Sequence, residues 1–67
     1  MDAKTSWETF FKIMIADEHS AMKKYAMARD LAEEPELKKI FERFMQEEQV
    51  HAQLLEAELL KLEKKGV

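Results

Sequence analysis

The chain contains no cysteine, and it has only one glycine and one proline among its 67 residues. Without cysteine, disulfide bonds and thiolate metal sites are excluded, and the redox state of the compartment stays open. A chain of this length buries only about 60% of its unfolded surface and usually needs disulfides, a metal or a partner chain. We therefore expect oxygen and nitrogen metal ligands, association with other chains, or both.

The sequence also lacks a long apolar run and a block of like charge. No apolar segment after Met1 indicates a signal peptide, and none is long enough to cross a membrane, so we expect a soluble, cytoplasmic protein. The 14 acidic and 11 basic residues are interspersed and give a net charge of −3. The pairs Lys23 with Lys24 and Lys38 with Lys39 are interpreted as solvated helix surface. Nucleic acid and membranes are therefore not expected as partners.

The few helix-breaking residues divide the chain into two long segments. Thr5 and Glu8 have the spacing of a capping box, so helix 1 is predicted to begin near residue 6. It is expected to run to about residue 33, because the residue before Pro35 is pushed out of the helical region. Pro35 suits the first turn of helix 2, which is predicted over about residues 35–64.

Charge at the ends of the second segment fits this layout. Acidic residues surround its start and lysines crowd its end before Gly66, as the helix dipole favours. Two long helices with a tight connection predict an all-α fold, an antiparallel helical hairpin. We expect the hairpin to form a single domain over residues 1–67.

Apolar residues recur at steps of three and four along both predicted helices, as in amphipathic helices. The row in helix 1 is Trp7, Phe11, Met14, Glu18, Ala21, Tyr25, Ala28 and Ala32. The row in helix 2 is Leu37, Phe41, Phe44, Glu48, His51, Leu55, Glu58 and Leu62. Further apolar residues widen each row beyond what one partner helix can cover. The simplest closed arrangement is a homodimer that forms a four-helix bundle, with a higher homo-oligomer as the alternative.

Ionisable residues interrupt both apolar rows at the same height. In a hairpin that turns near residue 34, Glu18 lies level with Glu48 and His51, which are spaced i and i+3 on one face of helix 2. A two-fold dimer doubles this set to four carboxylates and two imidazoles, the ligand inventory of di-iron bundles. Such ligands suit two non-haem irons better than zinc, with manganese as the alternative. The sequence therefore predicts a metal site shared between two chains.

Two motifs connect the chain to a known family. The stretch Glu18-His-Ser-Ala21-Met-Lys-Lys-Tyr25 resembles the Glu-x-x-Ala-x-x-x-Tyr pattern in the first helix of rubrerythrins. Ile40-Phe41 leading to Glu48-Gln-Val-His51-Ala52 resembles their second-helix Glu-x-x-His-Ala pattern. The short chain is also similar to the encapsulated ferritins, half-size relatives in which two hairpins build the di-iron centre between subunits.

This resemblance implies a ferritin-like di-iron protein. Glu18, Glu48 and His51 take the place of the iron ligands, with one iron per chain in a dimer, and Tyr25 takes the place of the tyrosine near the metals. The implied activity is that of a ferroxidase or a peroxide-reducing oxidoreductase, which binds Fe(II) and oxidises it with oxygen or peroxide. An electron-donor protein or an encapsulin shell is the further partner that the family suggests.

The same residues also allow interpretations in which the protein catalyses no reaction. In a metal-free structural or adaptor hairpin, Glu48 and His51 form a polar layer that fixes the register of the bundle. A metal carrier without turnover is the third hypothesis. Tyr25 is expected level with Phe41 and Phe44, where it could be a core residue instead of a redox relay.

Other residues near the predicted site are weaker candidates. His19 is expected on the surface, because it points about 100° away from Glu18. Glu47 flanks the helix 2 row, and Glu58 lies about two turns from His51, so both remain second-tier metal ligands. Trp7 is expected to pack against Leu59 and Leu62.

Overall fold

The computed structural model describes residues 2–65, and within this range the chain forms two helices and no strand. Helix α1 spans Ala3–Leu31 and helix α2 spans Pro35–Lys65. A cross-helix ion pair joins Arg29 to Glu42 near the turn, where the two helices meet in antiparallel order. The predicted all-α hairpin is therefore confirmed.

Helix α1 begins earlier than the sequence analysis predicts. Asp2 is extended and its Oδ1 accepts a hydrogen bond of 2.8 Å from the backbone N–H of Thr5, so Asp2 is the N-cap. The same hydrogen bond keeps the pKa of Asp2 below its usual value. The predicted capping box is wrong, because Thr5 lies inside the first turn and Glu8 instead forms an ion pair with Lys4 at 3.8 Å.

Helix α1 also ends before its predicted limit near residue 33. Ala32 is extended, with φ −67° and ψ 133°, and its N–H donates the last helical hydrogen bond to the carbonyl of Ala28 at 2.9 Å. The Lys38 ammonium donates a hydrogen bond of 3.1 Å to the carbonyl oxygen of Arg29. This contact satisfies one of the carbonyl groups that a helix end leaves without a partner.

Helix α2 begins at Pro35, as predicted, and continues to Lys65. Its predicted end near residue 64 is therefore close to the observed one. The predicted stop signal, Gly66, lies outside the described residues. Within residues 2–65, neither helix contains a stretch that is long and apolar enough to cross a lipid bilayer.

The hairpin is a single layer of two helices, with dimensions of 50 × 17 × 11 Å. In the described range only Ala32 and Ala52 are buried, and the small side chain of Ala52, 3% exposed, lets the helices approach closely. The accessible surface is 5339 Å². A compact folded chain of this mass exposes about 4400 Å². The chain therefore exposes about 900 Å² more than a compact monomer of its mass.

Several exposed apolar side chains lie together on one face of the hairpin. We define the apolar face as Phe10, Ile13, Ile40, Phe44 and Leu54, which helical spacing places on the same side of the two helices. Their exposed fractions are 57%, 53%, 46%, 39% and 62%, respectively. A helix or helix pair with such a face normally packs it against another element.

Candidate metal centre

The three predicted metal ligands lie together near the middle of the hairpin. Glu18 on α1 and Glu48 and His51 on α2 each offer one ligand atom, and these atoms all lie within 4.8 Å of one another. Nδ1 of His51 is 3.6 Å from Oε2 of Glu18 and 3.6 Å from Oε1 of Glu48. Within the described range this is the one grouping of three or more potential metal ligands.

The register of the hairpin explains this meeting of side chains. Glu48 and His51 are one helical turn apart, so both project from the same side of α2. The guanidinium of Arg29 donates a hydrogen bond of 2.8 Å to Oε2 of Glu42, which fixes the two helices near the turn. From this fixed point the helices run side by side and bring Glu18 to the level of the Glu-x-x-His pair.

The two carboxylates are far less exposed than the imidazole. The side chains of Glu18 and Glu48 are each 22% exposed, whereas His51 is 55% exposed. Oε2 of Glu18 is buried, and the described residues provide no hydrogen-bond partner for it. A buried carboxylate oxygen without a partner is destabilising unless a proton or a cation satisfies it. A bound metal ion fits this arrangement of oxygen and nitrogen donors.

The electrostatics of the site also favour a bound cation. The pKa of Glu48 is raised above its usual value, first because the neighbouring Glu18 side chain stabilises its protonated form and then because it is partly buried. His51 acts against this rise, but more weakly. Protonation of Glu48 is thus more favourable than for an isolated glutamate, and a bound cation would likewise relieve the repulsion between the two carboxylates.

The site opens into a groove of about 370 Å³ on the same side as the apolar face. The groove is lined by Met14, Asp17, Glu18, His51, Leu54 and Leu55. Because Glu18 and His51 both line the groove, a metal ion held by them would be reachable from it. The sequence analysis missed Asp17, although helical spacing places it on the same side of the hairpin as His51.

Tyr25 lies in an aromatic cluster between the site and the turn. Its ring centroid is 5.3 Å from that of Phe44 and 6.4 Å from that of Phe41. The ring is half-buried and lies about two turns from Glu18 along α1. Its place in the apolar row is therefore that of a packed residue, and the predicted redox role stays a prediction.

The second-tier candidates are not part of the ligand grouping. Nε2 of His19 lies 3.4 Å from Oε1 of Glu56, and both side chains are about half exposed. Glu47 accepts a hydrogen bond of 3.1 Å from Arg43, its neighbour on α2. His19 is therefore a surface residue, as expected, and Glu47 has a basic partner away from the site.

The open end of the hairpin contains a second groove, of about 260 Å³, lined in part by Trp7, Glu58 and Leu62. Oε1 of Glu58 is 3.2 Å from Nζ of Lys61. Trp7 faces Leu62 across this groove, and its ring also lies 5.7 Å from that of Phe11. Glu58 thus belongs to this end of the hairpin and not to the candidate metal centre.

Comparisons of the chain with protein-family profiles, curated proteins and solved structures give no match.

Proposed function

We propose that the chain binds iron through Glu18, Glu48 and His51 and oxidises Fe(II) with oxygen or peroxide, as part of a di-iron centre shared between two chains. The observation that supports this proposal most strongly is the buried, unpartnered Oε2 of Glu18 inside a grouping of ligand atoms that spans 4.8 Å. Nδ1 of His51, at 3.6 Å, lies beyond hydrogen-bond distance of that oxygen.

The donor set suits iron or manganese. Carboxylate oxygens with a single imidazole are typical ligands of these ions, whereas structural zinc sites prefer thiolates and several imidazoles. Glu18 and Glu48 would hold the metal through carboxylate oxygens, and His51 would hold it through a ring nitrogen. Any proton on Glu48 would leave as the metal binds. A pair of bound irons supplies the electrons that a two-electron oxidant takes.

A second copy of the chain supplies the other half of the site. The groove beside Glu18 and His51 opens on the apolar face, so a partner placed there brings its own ligands to the same point. The excess surface of about 900 Å² per chain is close to the roughly 800 Å² that each partner buries in a standard interface. Association through the apolar face would therefore complete both the core and the ligand set.

The alternative is a metal-free structural or adaptor hairpin. It is favoured by the position of His51, whose Nδ1 lies 3.6 Å from both carboxylates, so that Glu48 and His51 would form a polar layer that fixes the helix register. A metal carrier without turnover is a further alternative that shares the ligand set and lacks the oxidation step.

Metal content and solution mass, measured on the same sample, test the proposal. After anaerobic Fe(II) loading we expect about one iron per chain and the mass of a dimer or larger oligomer. Glu48→Gln should lose the iron, whereas the matched control Glu47→Gln should keep it, because Glu47 pairs with Arg43 on the surface. Tight loading of two irons in a monomer would exclude the shared site.

Equal, negligible iron in the parent and Glu48→Gln would instead favour the adaptor hypothesis. Admitting oxygen or hydrogen peroxide to the loaded protein then separates the two metal-binding hypotheses. A ferroxidase produces Fe(III) faster than the Glu48→Gln protein with the same added iron. A carrier shows equal rates.

A further inference from the structure

Methionine is the one readily oxidised sulfur residue available to this chain, which has five methionines and no cysteine. Met14 is distinguished by its position, because it lines the same groove as Glu18 and His51. It lies one helical turn before Glu18 on the same side of α1. Met22 follows Glu18 by the same interval but is not among the residues that line the groove.

Exposure alone would predict a different methionine as the target of oxidants. Met27 is 65% exposed, whereas Met14 is largely buried. An oxidant arriving from bulk solvent therefore reaches Met27 more easily. An oxidant held in the groove beside the ligand grouping is instead next to Met14.

We propose that Met14 is a modification site, at which hydrogen peroxide in the groove converts the thioether to methionine sulfoxide. This inference rests on the proposed function, in which the bound metal draws peroxide to Glu18 and His51. The O–O bond of the peroxide breaks, and one oxygen atom forms a bond with the Met14 sulfur. The sulfur loses two electrons, and the other oxygen leaves as water.

The surroundings of Met14 give this modification a consequence. Met14 shares the groove with Leu54 and Leu55, on the side of the hairpin that carries the apolar face. A sulfoxide is polar and would sit in an apolar contact surface. Oxidation of Met14 therefore weakens association of the chains and with it the shared metal centre.

Peptide mass mapping after treatment with hydrogen peroxide tests the proposal. The measured quantity is the ratio of sulfoxide at Met14 to sulfoxide at Met27. In chelator we expect Met27 to be oxidised faster. In the iron-loaded protein the ratio should rise about tenfold or more, because a reactant held in place acts at a high effective concentration.

Two variants serve as controls. Glu48→Gln in the same total iron should keep the ratio found in chelator, which separates oxidation at the site from radical chemistry of free iron. Met14→Leu is close in volume and should retain the iron. Its oligomers should also resist the dissociation that peroxide causes in the parent, as measured by solution mass.

Iron content measured on the same samples separates the two proposals. If the parent binds no iron, the proposed function and the role of Met14 are both wrong. If it binds and oxidises iron while the Met14 to Met27 ratio stays at its value in chelator, the proposal for Met14 alone is wrong.

Discussion

Replacing Leu54 by alanine should weaken association of the chains far more than replacing Leu60. Both are leucines on α2 with similar exposure, 62% and 54%, respectively. Helical spacing places Leu54 on the apolar face and Leu60 on the opposite side of the hairpin. The pair therefore tests whether one particular face, and not apolar surface in general, holds the chains together.

The magnitude follows from the area that association would remove from water. Complete burial of a leucine side chain contributes about 1.5–3 kcal/mol. Since 62% of Leu54 is still exposed in the single chain, its burial in a dimer contributes about 1–2 kcal/mol per copy. A two-fold dimer contains two copies, so Leu54→Ala should cost about 2–4 kcal/mol. The dissociation constant should rise by about 30-fold to 700-fold.

Sedimentation equilibrium in chelator measures this change without interference from the metal. Leu60→Ala should leave the dissociation constant within about twofold of the parent value, and thermal melts of both variants would show that the helices remain formed. Equal weakening by the two substitutions, or a parent that stays monomeric at all concentrations, would refute association through the apolar face.

Three further predictions concern the site and its surroundings. Glu48→Leu should abolish iron binding and raise the melting temperature of the metal-free protein, since it removes a carboxyl group whose pKa is raised by Glu18 and by burial. A lower melting temperature in chelator would favour the adaptor hypothesis. Between the ordinary pKa of 4.5 and the raised value, Glu48 keeps its proton in the folded protein but has released it in the unfolded chain. The metal-free parent should therefore lose stability as the pH rises through this window. Glu48→Leu should not show this loss. Tyr25→Phe should keep the ring contacts with Phe41 and Phe44 and the iron, but remove any tyrosyl radical signal seen by EPR after oxidation. Loss of iron in that variant would show that Tyr25 binds the metal.

The ligand grouping could be predicted because it depends on few variables. Helical periodicity places Glu48 and His51 on one side of α2, and the single proline fixes where the chain turns. These two facts determine which residue of α1 lies opposite them, within about one helical turn. Glu18 is the acidic residue in the apolar row at that height.

The helix ends were harder to predict because several patterns overlap there. Both Asp2 and Thr5 are good N-cap residues, and a Glu three positions after Thr5 favoured the wrong one. At the other end of α1, no glycine or asparagine marks the stop. The helix ends at Leu31 because the chain must become extended at Ala32 before it can turn into Pro35.

The burial of the site could not be predicted from periodicity. The sequence shows that Glu18 and Glu48 interrupt an apolar row, but not that they end with equal exposure of 22% while His51 remains open. That difference depends on the distance and the tilt between the two helices. Ala52, which allows a close approach, belongs to the Glu-x-x-His-Ala motif, but the motif does not give the distance between the helices.

The ion pair between Arg29 and Glu42 has a consequence for the order in which the chain folds. It joins residues only 13 positions apart, whereas the contact between Glu18 and Glu48 encloses a much longer segment. Because the entropy lost on closing a loop grows with its length, contacts near the turn form first and the helices then zip toward the open end. Glu18 on α1 therefore meets Glu48 and His51 on α2 only after the turn has closed. A metal ion held jointly by Glu18, Glu48 and His51 would therefore bind a hairpin that has already formed.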